Sequence, residues 1–457
     1  MKQRLFLASA LCMGLLAATA VNADALQAPA AIQKQIPALM EKSKVRGLAI
    51  AKIENGKLAW HAAFGERAPG KPMQTDSVFN VASLTKPVFA TAALHAIADQ
   101  QLQLDESLAS YWVDEDIADD PRHQKLTART VLSHQSGLPN WRGNRKLAFM
   151  FEPGQRHEYS GEGFEYLRRA LERKTDQSMT ELMNKQVLQV AGMTQTYVGW
   201  NAKIADRIAT GFNEAGEPID TNLASRQPNA AAHLMSTVDD YARFLAWVAN
   251  GAGLPAELQK QMAKPQALHS NPAERFGLGW KLIPLSEGEA LMHDGREPGV
   301  RTYAMVSPQL NEGLVILTNS SNGELIFRPL IAEAMSNGEA ILRSTDQLVW
   351  HYLQSLPPQA LAPMSRGIAR SPSYLSTLLH AVNTALMQSS ALSDAEKRAA
   401  AEQVNDYVFA RFNDQVSAEQ AQALIERLLR KDGDEQRLHI QFNKQAAREW
   451  LQALQQI

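Results

Sequence analysis

Ser83 and Lys86, three residues apart in Phe79-Asn-Val-Ala-Ser83-Leu-Thr-Lys86, are the pair in this chain best suited to covalent chemistry. On a helix, positions i and i+3 share a side, one turn apart. The lysine nitrogen can then take the serine proton, as a hydroxyl nucleophile requires. Only a neutral amine can do so, and burial together with the positive end of the helix dipole lowers a lysine pKa. The pattern is short, and on the order of one Ser-x-x-Lys is expected by chance in a chain this rich in serine. This is its single occurrence in the sequence.

Two other segments offer partners. Glu152-Pro-Gly-Gln-Arg-His-Glu-Tyr159-Ser160-Gly161 puts a tyrosine on a loop after a Pro-Gly turn, where a phenol near a lysine can relay a proton to a leaving group. Met292-His293-Asp294-Gly295 ends an expected strand, where a side chain can line a cleft and a glycine lets substrate approach the backbone. Taken singly, the tyrosine is equally a packing residue and His-Asp-Gly an ordinary turn. Other chemistries lack sequence support: there is no Gly-x-Ser-x-Gly, Gly-x-Gly-x-x-Gly, Walker loop or His-Glu-x-x-His, and the 11 histidines are scattered without ligand spacing. No metal or cofactor is expected.

The elements that must position these residues can be read coarsely. A helix over Ala30–Ser43 precedes two strands, Gly47–Glu54 and Lys57–Phe64, around Asn55-Gly56, the strongest two-residue hairpin signal. A helical pattern runs from Ser83 to about Leu102, and helices and loops fill the chain to Asn250. Strand character returns at Gly277–Ile283, Ala290–His293, Arg301–Val306 and Leu314–Thr318. The expected fold is α/β in the α+β sense: one antiparallel sheet built from early and late strands, flanked by helices, with a helical subdomain. After about Ser336 the composition shifts. Pro357-Pro358, Pro363 and Pro372 interrupt helical segments, Ser393-x-x-Glu396 and Ser417-x-x-Gln420 read as capping boxes, and Leu424, Ile425, Leu428 and Leu429 share a face. The expected division is a hydrolytic domain at 28–340 and an all-helical appendage at 345–457.

The whole chain has 457 residues, 45% apolar and 21% charged, with a net charge of -2, ordinary usage for a folded protein with a sizeable core. No basic stretch interleaved with aromatics suggests a nucleic-acid groove. Lys2 and Arg4 ahead of the apolar run Leu5–Val21, closing on Val21-Asn-Ala23, read as a cleaved export signal at 1–23, leaving no integral membrane span. The single cysteine, Cys12, lies inside it behind Leu11, a poor lipidation context, so the mature chain has no disulfide to form.

Together, Ser83-x-x-Lys86, Tyr159-Ser160-Gly161 and His293-x-Gly295 resemble, in order, the motifs of the penicillin-recognising serine hydrolases: class C β-lactamases, D-Ala-D-Ala carboxypeptidases and family VIII carboxylesterases. Leu132-Ser-His-Gln-Ser-Gly-Leu-Pro139, Val187–Thr196, His233–Asp240 and Phe276-Gly-Leu-Gly-Trp280 also look like landmarks of that family, and the likeness spans roughly Ala30–Met335. The resemblance implies an acyl-enzyme: Ser83 as nucleophile, Lys86 as its base, Tyr159 as proton shuttle, His293 in the place of a cleft Lys or His, and the amides of Ser83 and Arg296 as oxyanion hole. Two positions depart. Gly161 replaces the Asn of Tyr-x-Asn, and Asp294 stands where many relatives have Thr beside a substrate carboxylate, which Arg296 or Arg301 would have to offset. Both changes disfavour an efficient β-lactamase. The expected substrate is a small molecule or cell-wall peptide, an amide or ester of a D-amino-acid type with a neutral or cationic group at that end. A carboxylesterase, or an inactive peptidoglycan- or protein-binding member of the fold, are the alternatives.

Overall fold

The computed structural model describes residues 26–266, 275–355, 360–387, 393–428 and 454, so the expected signal at 1–23 and Leu429 lie outside the described residues. Helix α1 (Ala30–Ser43) leads into β1 (Gly47–Glu54), and the chain returns as β2 (Lys57–Ala68) and the short edge strand β3 (Lys71–Pro72). Asn55 and Gly56 carry φ of 51° and 66°, the two positive values a tight hairpin needs. Helix α2 (Thr85–Ala98), α3 (Gly161–Thr175) and α4 (Val238–Ala249) belong to the middle of the chain. The sheet then resumes with β4 (Lys281–Leu285), β5 (Gly288–Glu297), β6 (Val300–Ser307) and β7 (Glu312–Thr318).

The strand order is β3-β2-β1-β7-β6-β5-β4, antiparallel at every step, so early and late strands meet at β1 and β7. Both faces are covered, and successive side chains serve opposite layers. Leu48 and Ile50 of β1 pack with Ile32, Ile36 and Met40 of α1 and with Leu330 and Ile331 of α5 (Phe327–Ala334). Ala49, Ala51 and Ile53 join Tyr241, Leu245 and Val248 of α4 in the larger core on the other face. Each such aliphatic side chain contributes about 1.5 to 3 kcal/mol by leaving water.

Two sequence expectations are corrected. The strand expected from Gly277 begins only at Lys281: Gly279 takes φ of 84° and lies so close to Ala90 of α2 that a Cβ would collide with it, so Gly277–Trp280 is a loop seated on α2. Helix α2 starts at Thr85, not Ser83, because Ala82 holds a φ of 50° that no helix accommodates, and it ends at Ala98. The expected division between 340 and 345 falls inside a continuous helix, α6 (Gly338–Ser355). Ile341 and Leu342 of α6 pack on the sheet, whereas Leu353 belongs to a separate apolar cluster. That cluster is shared with α7 (Leu361–Arg370), α8 (Pro372–Met387), α9 (Asp394–Phe412) and α10 (Ala418–Leu428). Both capping boxes form: the Glu396 amide donates to Ser393 Oγ at 3.4 Å and the Gln420 amide to Ser417 Oγ at 3.2 Å, each returned from the residue's side chain.

Candidate active site

The turn that carries Ser83 is held by four contacts. The Ala82 amide donates to Asn80 Oδ1 at 3.0 Å, Thr85 Oγ1 donates to Ala82 O at 2.7 Å, and the Leu234 amide donates to Thr85 Oγ1 at 2.9 Å. Thr302 Oγ1 on β6 donates to Val81 O at 2.9 Å. Between them they hold the left-handed Ala82, and strain of this kind persists only where surroundings over-determine it. Ser83 is left partly exposed at the start of α2.

One turn on, Lys86 is buried, with Nζ 3.3 Å from Ser83 Oγ and 2.9 Å from the Ala231 carbonyl. Burial pushes its pKa down to about 7, against Asp294, Glu297 and Glu165, whose charges raise it. Tyr159 hydrogen-bonds Ser83, and its ring centroid lies 4.6 Å from Lys86 Nζ. Burial raises its phenol well above the ordinary value of 10, so it stays protonated. Ser83, Lys86 and Tyr159 are thus in mutual contact.

Tyr159 is itself held by residues whose roles the sequence did not reveal. His134 stacks on it at 4.2 Å and 30°, and accepts the Ser160 amide on Nδ1 at 3.1 Å, which puts its proton on Nε2. His134 lay within a recognised family segment, but only the fold brings that segment beneath the tyrosine. Ser160 caps α3, accepting the Gly163 amide at 2.9 Å. Gly161 adjoins Trp141: a Cβ there would lie 2.7 Å from Trp141 Cζ2 and 2.9 Å from Asn140 O. The space of the missing Asn side chain is therefore taken by an indole that is 44% exposed.

The far wall is β5. Strand alternation turns His293 and Gly295 toward α2 and turns Asp294 and Arg296 to the other face. A Cβ on Gly295 would lie 3.1 Å from the Ser83 amide nitrogen and 2.7 Å from Val81 O, so only glycine lets the strand pass this near. His293 is 2% exposed; burial pushes its pKa down to about 4, and its Nδ1 donates to the Asp294 carbonyl at 2.7 Å. Its Nε2 is consequently a bare acceptor, buried without a hydrogen-bond partner. Asp294 is exposed at the sheet edge, beyond the last β4 pairing at Met292. It lies across the strand from the cleft, yet it is the strongest charge acting on Lys86. The Arg296 guanidinium is engaged elsewhere, on Glu324 at 2.7 Å and Tyr374 Oη at 2.7 Å, and Arg301 donates to the carbonyls of Glu297 and Val300. Neither arginine is spent on Asp294.

The β5 backbone is oriented by its hairpin. Glu297 pairs with Val300 across a two-residue connection, so that pair exchanges hydrogen bonds and Arg296 turns its N–H to the open edge. The Ser83 amide has no backbone acceptor among the described residues. No group of three or more His, Cys, Asp or Glu among the described residues is placed to hold a metal ion, and no described helix is long and apolar enough to cross a membrane.

Known proteins resemble this chain in sequence and in fold. The family model described as Beta-lactamase matches residues 32–334. Penicillin-binding protein 4* of Bacillus subtilis is 24% identical over 377 residues, 74% of this chain and 79% of that protein. Esterase EstB of Burkholderia gladioli is 24% identical over 345 residues, 63% of this chain and 86% of that protein. Among solved structures, a class C β-lactamase superposes with a TM-score of 0.56 at 20% identity, covering 64% of this chain and 92% of that one. The D-alanine carboxypeptidase AmpC from Burkholderia cenocepacia does so at 0.55 and 18% identity, covering 70% and 97%. The chain belongs to the β-lactamase family of serine hydrolases.

Proposed function

We propose that this protein is an exported hydrolase that cleaves esters or amides through an acyl-enzyme on Ser83. The observation that supports it best is the 3.3 Å contact between Ser83 Oγ and a lysine nitrogen whose pKa is near 7. The neutral amine of Lys86 takes the serine proton as Oγ attacks the substrate carbonyl. Negative charge develops on the carbonyl oxygen between the amides of Ser83 and Arg296, where one donor is typically worth about 100-fold to 1,000-fold in turnover. Tyr159, a protonated phenol touching Ser83, gives its proton to the leaving group and takes back the one held on Lys86, and water then reverses the steps to free the acid. The segment at 1–23 directs export.

For the substrate, we infer a D-amino-acid or cell-wall peptide derivative whose end near β5 is neutral or cationic. A carboxylate there would feel the charge of Asp294 through the strand, Glu297 and Glu165 being paired with Arg226 and Arg168. His293, neutral above pH 4 with a bare Nε2, offers it no donor. An ammonium or amide N–H suits that acceptor. The second reading, a carboxylesterase for small acyl esters, is favoured by Trp141, which supplies an apolar wall where relatives place a polar Asn.

The test is hydrolysis of a p-nitrophenyl acyl ester by wild type and Ser83→Ala, with intact-protein mass spectrometry after exposure to an activated ester and to a penicillin. An acyl adduct on Ser83, with hydrolysis lost in the variant, is the expected result. Undiminished hydrolysis by Ser83→Ala, or no adduct from either reagent, would overturn the proposal. Amine-bearing esters should outpace free-acid analogues, and the reverse order would remove the substrate assignment.

A further inference from the structure

The C-terminal helices do more than cover apolar surface. Between the β5–β6 hairpin and α7–α8 lies a pocket of about 520 Å³, open to solvent on one side. Among the described residues its lining carries five cations, Lys44, Arg296, Arg301, Arg370 and Arg411. Three carboxylates oppose them, Glu214, Glu324 and Asp414.

The pairing leaves positive charge over. Glu324 serves two guanidiniums, Arg296 at 2.6 Å and Arg301 at 3.3 Å, and Arg411 pairs with Asp414 at 3.3 Å. Lys44 and Arg370 find no carboxylate among the described residues; Lys44 lies instead over the Phe412 ring at 5.2 Å. Arg301 is nearly buried, with 13% of its side chain exposed, and it is its Nε that faces Glu324 at 3.3 Å, outside hydrogen-bond geometry. The cavity also receives the N-terminus of the 16-residue helix α8 through Ser371, Pro372 and Ser373. The Ser373 amide has no acceptor among the described residues, as first-turn amides lack intrahelical partners. Surplus guanidinium and ammonium groups and a helix N-terminus converge on one space.

We propose that this cavity binds a small oxyanion of two or more charges, a phosphate or a dicarboxylate, held by Lys44, Arg301, Arg370 and the first turn of α8. Arginine forks and helix N-termini recognise such groups by charge-assisted hydrogen bonds. Lys44 and Arg301 belong to the sheet domain and Arg370 and Ser373 to the appendage, so the ligand ties the two together. The proposal stands apart from the acyl-enzyme reading, since neither Lys44 nor Arg370 touches the Ser83 cleft.

Isothermal titration calorimetry of the full chain with inorganic phosphate, and separately with glutarate, tests it, with ionic strength held constant by sodium chloride. Saturable one-to-one binding of at least one of them is expected, weakened about tenfold or more in Lys44→Ala/Arg370→Ala, the loss of one charge-assisted contact being enough. A response to phosphate alone assigns a phosphate source, and to glutarate alone a carboxylate source. Both side chains are exposed, so the variant should fold, and its circular dichroism and thermal transition in ligand-free buffer check that it does. Should its fold be lost, the single Arg370→Gln variant carries the comparison. Binding of neither anion, or equal affinity in the variant, an adventitious ion only, would overturn the proposal.

Discussion

In the proposed reaction Lys86 is the base, and its environment makes that role measurable. Burial holds its pKa near 7, so the fraction of neutral base falls tenfold per pH unit below that point. The pH profile of kcat/KM for ester hydrolysis should therefore show an acid limb with an apparent pKa near 7 and a plateau above. A limb near 4 instead would make His293 the controlling group. The same shift sets a stability cost. The unfolded lysine stays charged up to about pH 10.4 whereas the folded one releases its proton near 7. Between these values the unfolded state holds more protons, so stability rises with pH there. Below pH 7 both states are charged and the penalty is complete. Lys86→Met should thus abolish hydrolysis, by about 100-fold to 10,000-fold. It should also raise the unfolding free energy at pH 6 by on the order of 5 kcal/mol, with little gain above pH 10.4, as urea titrations at the two pH values would reveal. A variant no more stable at pH 6 than wild type would refute the burial argument.

At the scale of elements, the local signals were legible and the tertiary approaches were not. Asn55-Gly56 announced its hairpin because both φ requirements are written in the residue types, and Ser393 and Ser417 announced their helices for the same reason. Ser83 and Lys86 could be paired from spacing alone. The strand Gly277–Ile283 was misread at its start because the glycines that read as turn boundaries serve a close approach to Ala90, over 180 residues away in sequence. His134, Trp141 and the Ala231 carbonyl reach the site through loops whose paths no periodicity encodes. The loop bearing Trp141 is fixed by Arg142, which donates to Glu162 at 3.0 Å, Asp114 at 2.6 Å and Asp116 at 3.1 Å. Arg142→Ala leaves the nearly buried Glu162 without its cation and Asp114 with only Arg169 at 3.9 Å, which should cost about 2 to 4 kcal/mol. Because Glu162 adjoins Gly161 on α3, we expect KM for bulky acyl esters to change more than kcat, as Trp141 loses its fixed position. An unchanged KM would mean that the indole is no part of the acyl wall.

For the whole molecule, the question is whether the C-terminal helices unfold with the sheet domain or apart from it. Helix α6 answers structurally, since Ile341 and Leu342 serve the sheet while Leu353 serves the helical cluster. Its buried Asp346 is the joint: Arg328 of α5 grips it through two bonds of 2.8 Å, and Thr384 of α8 donates to it at 2.9 Å. Helix α1 adds a second seam, with Lys42 reaching Asp406 at 3.5 Å and lying over Phe409 at 4.3 Å. A helix shared by two cores transmits unfolding between them, because neither half can lose its packing without stranding the other half of the helix. Wild type should accordingly melt in one calorimetric transition. Asp346→Ala leaves Arg328 and Thr384 facing each other without an acceptor and, as a mostly buried ion pair broken on one side, should cost about 3 kcal/mol. That cost falls on the contact between the cores, not inside either of them. The variant should therefore show a separate, earlier transition for the helical cluster, with tryptic cleavage after Lys397, in the first turn of α9, appearing before ester hydrolysis declines. A single transition lowered as a unit would place Asp346 within one core, and α6 would then be no more than a connector.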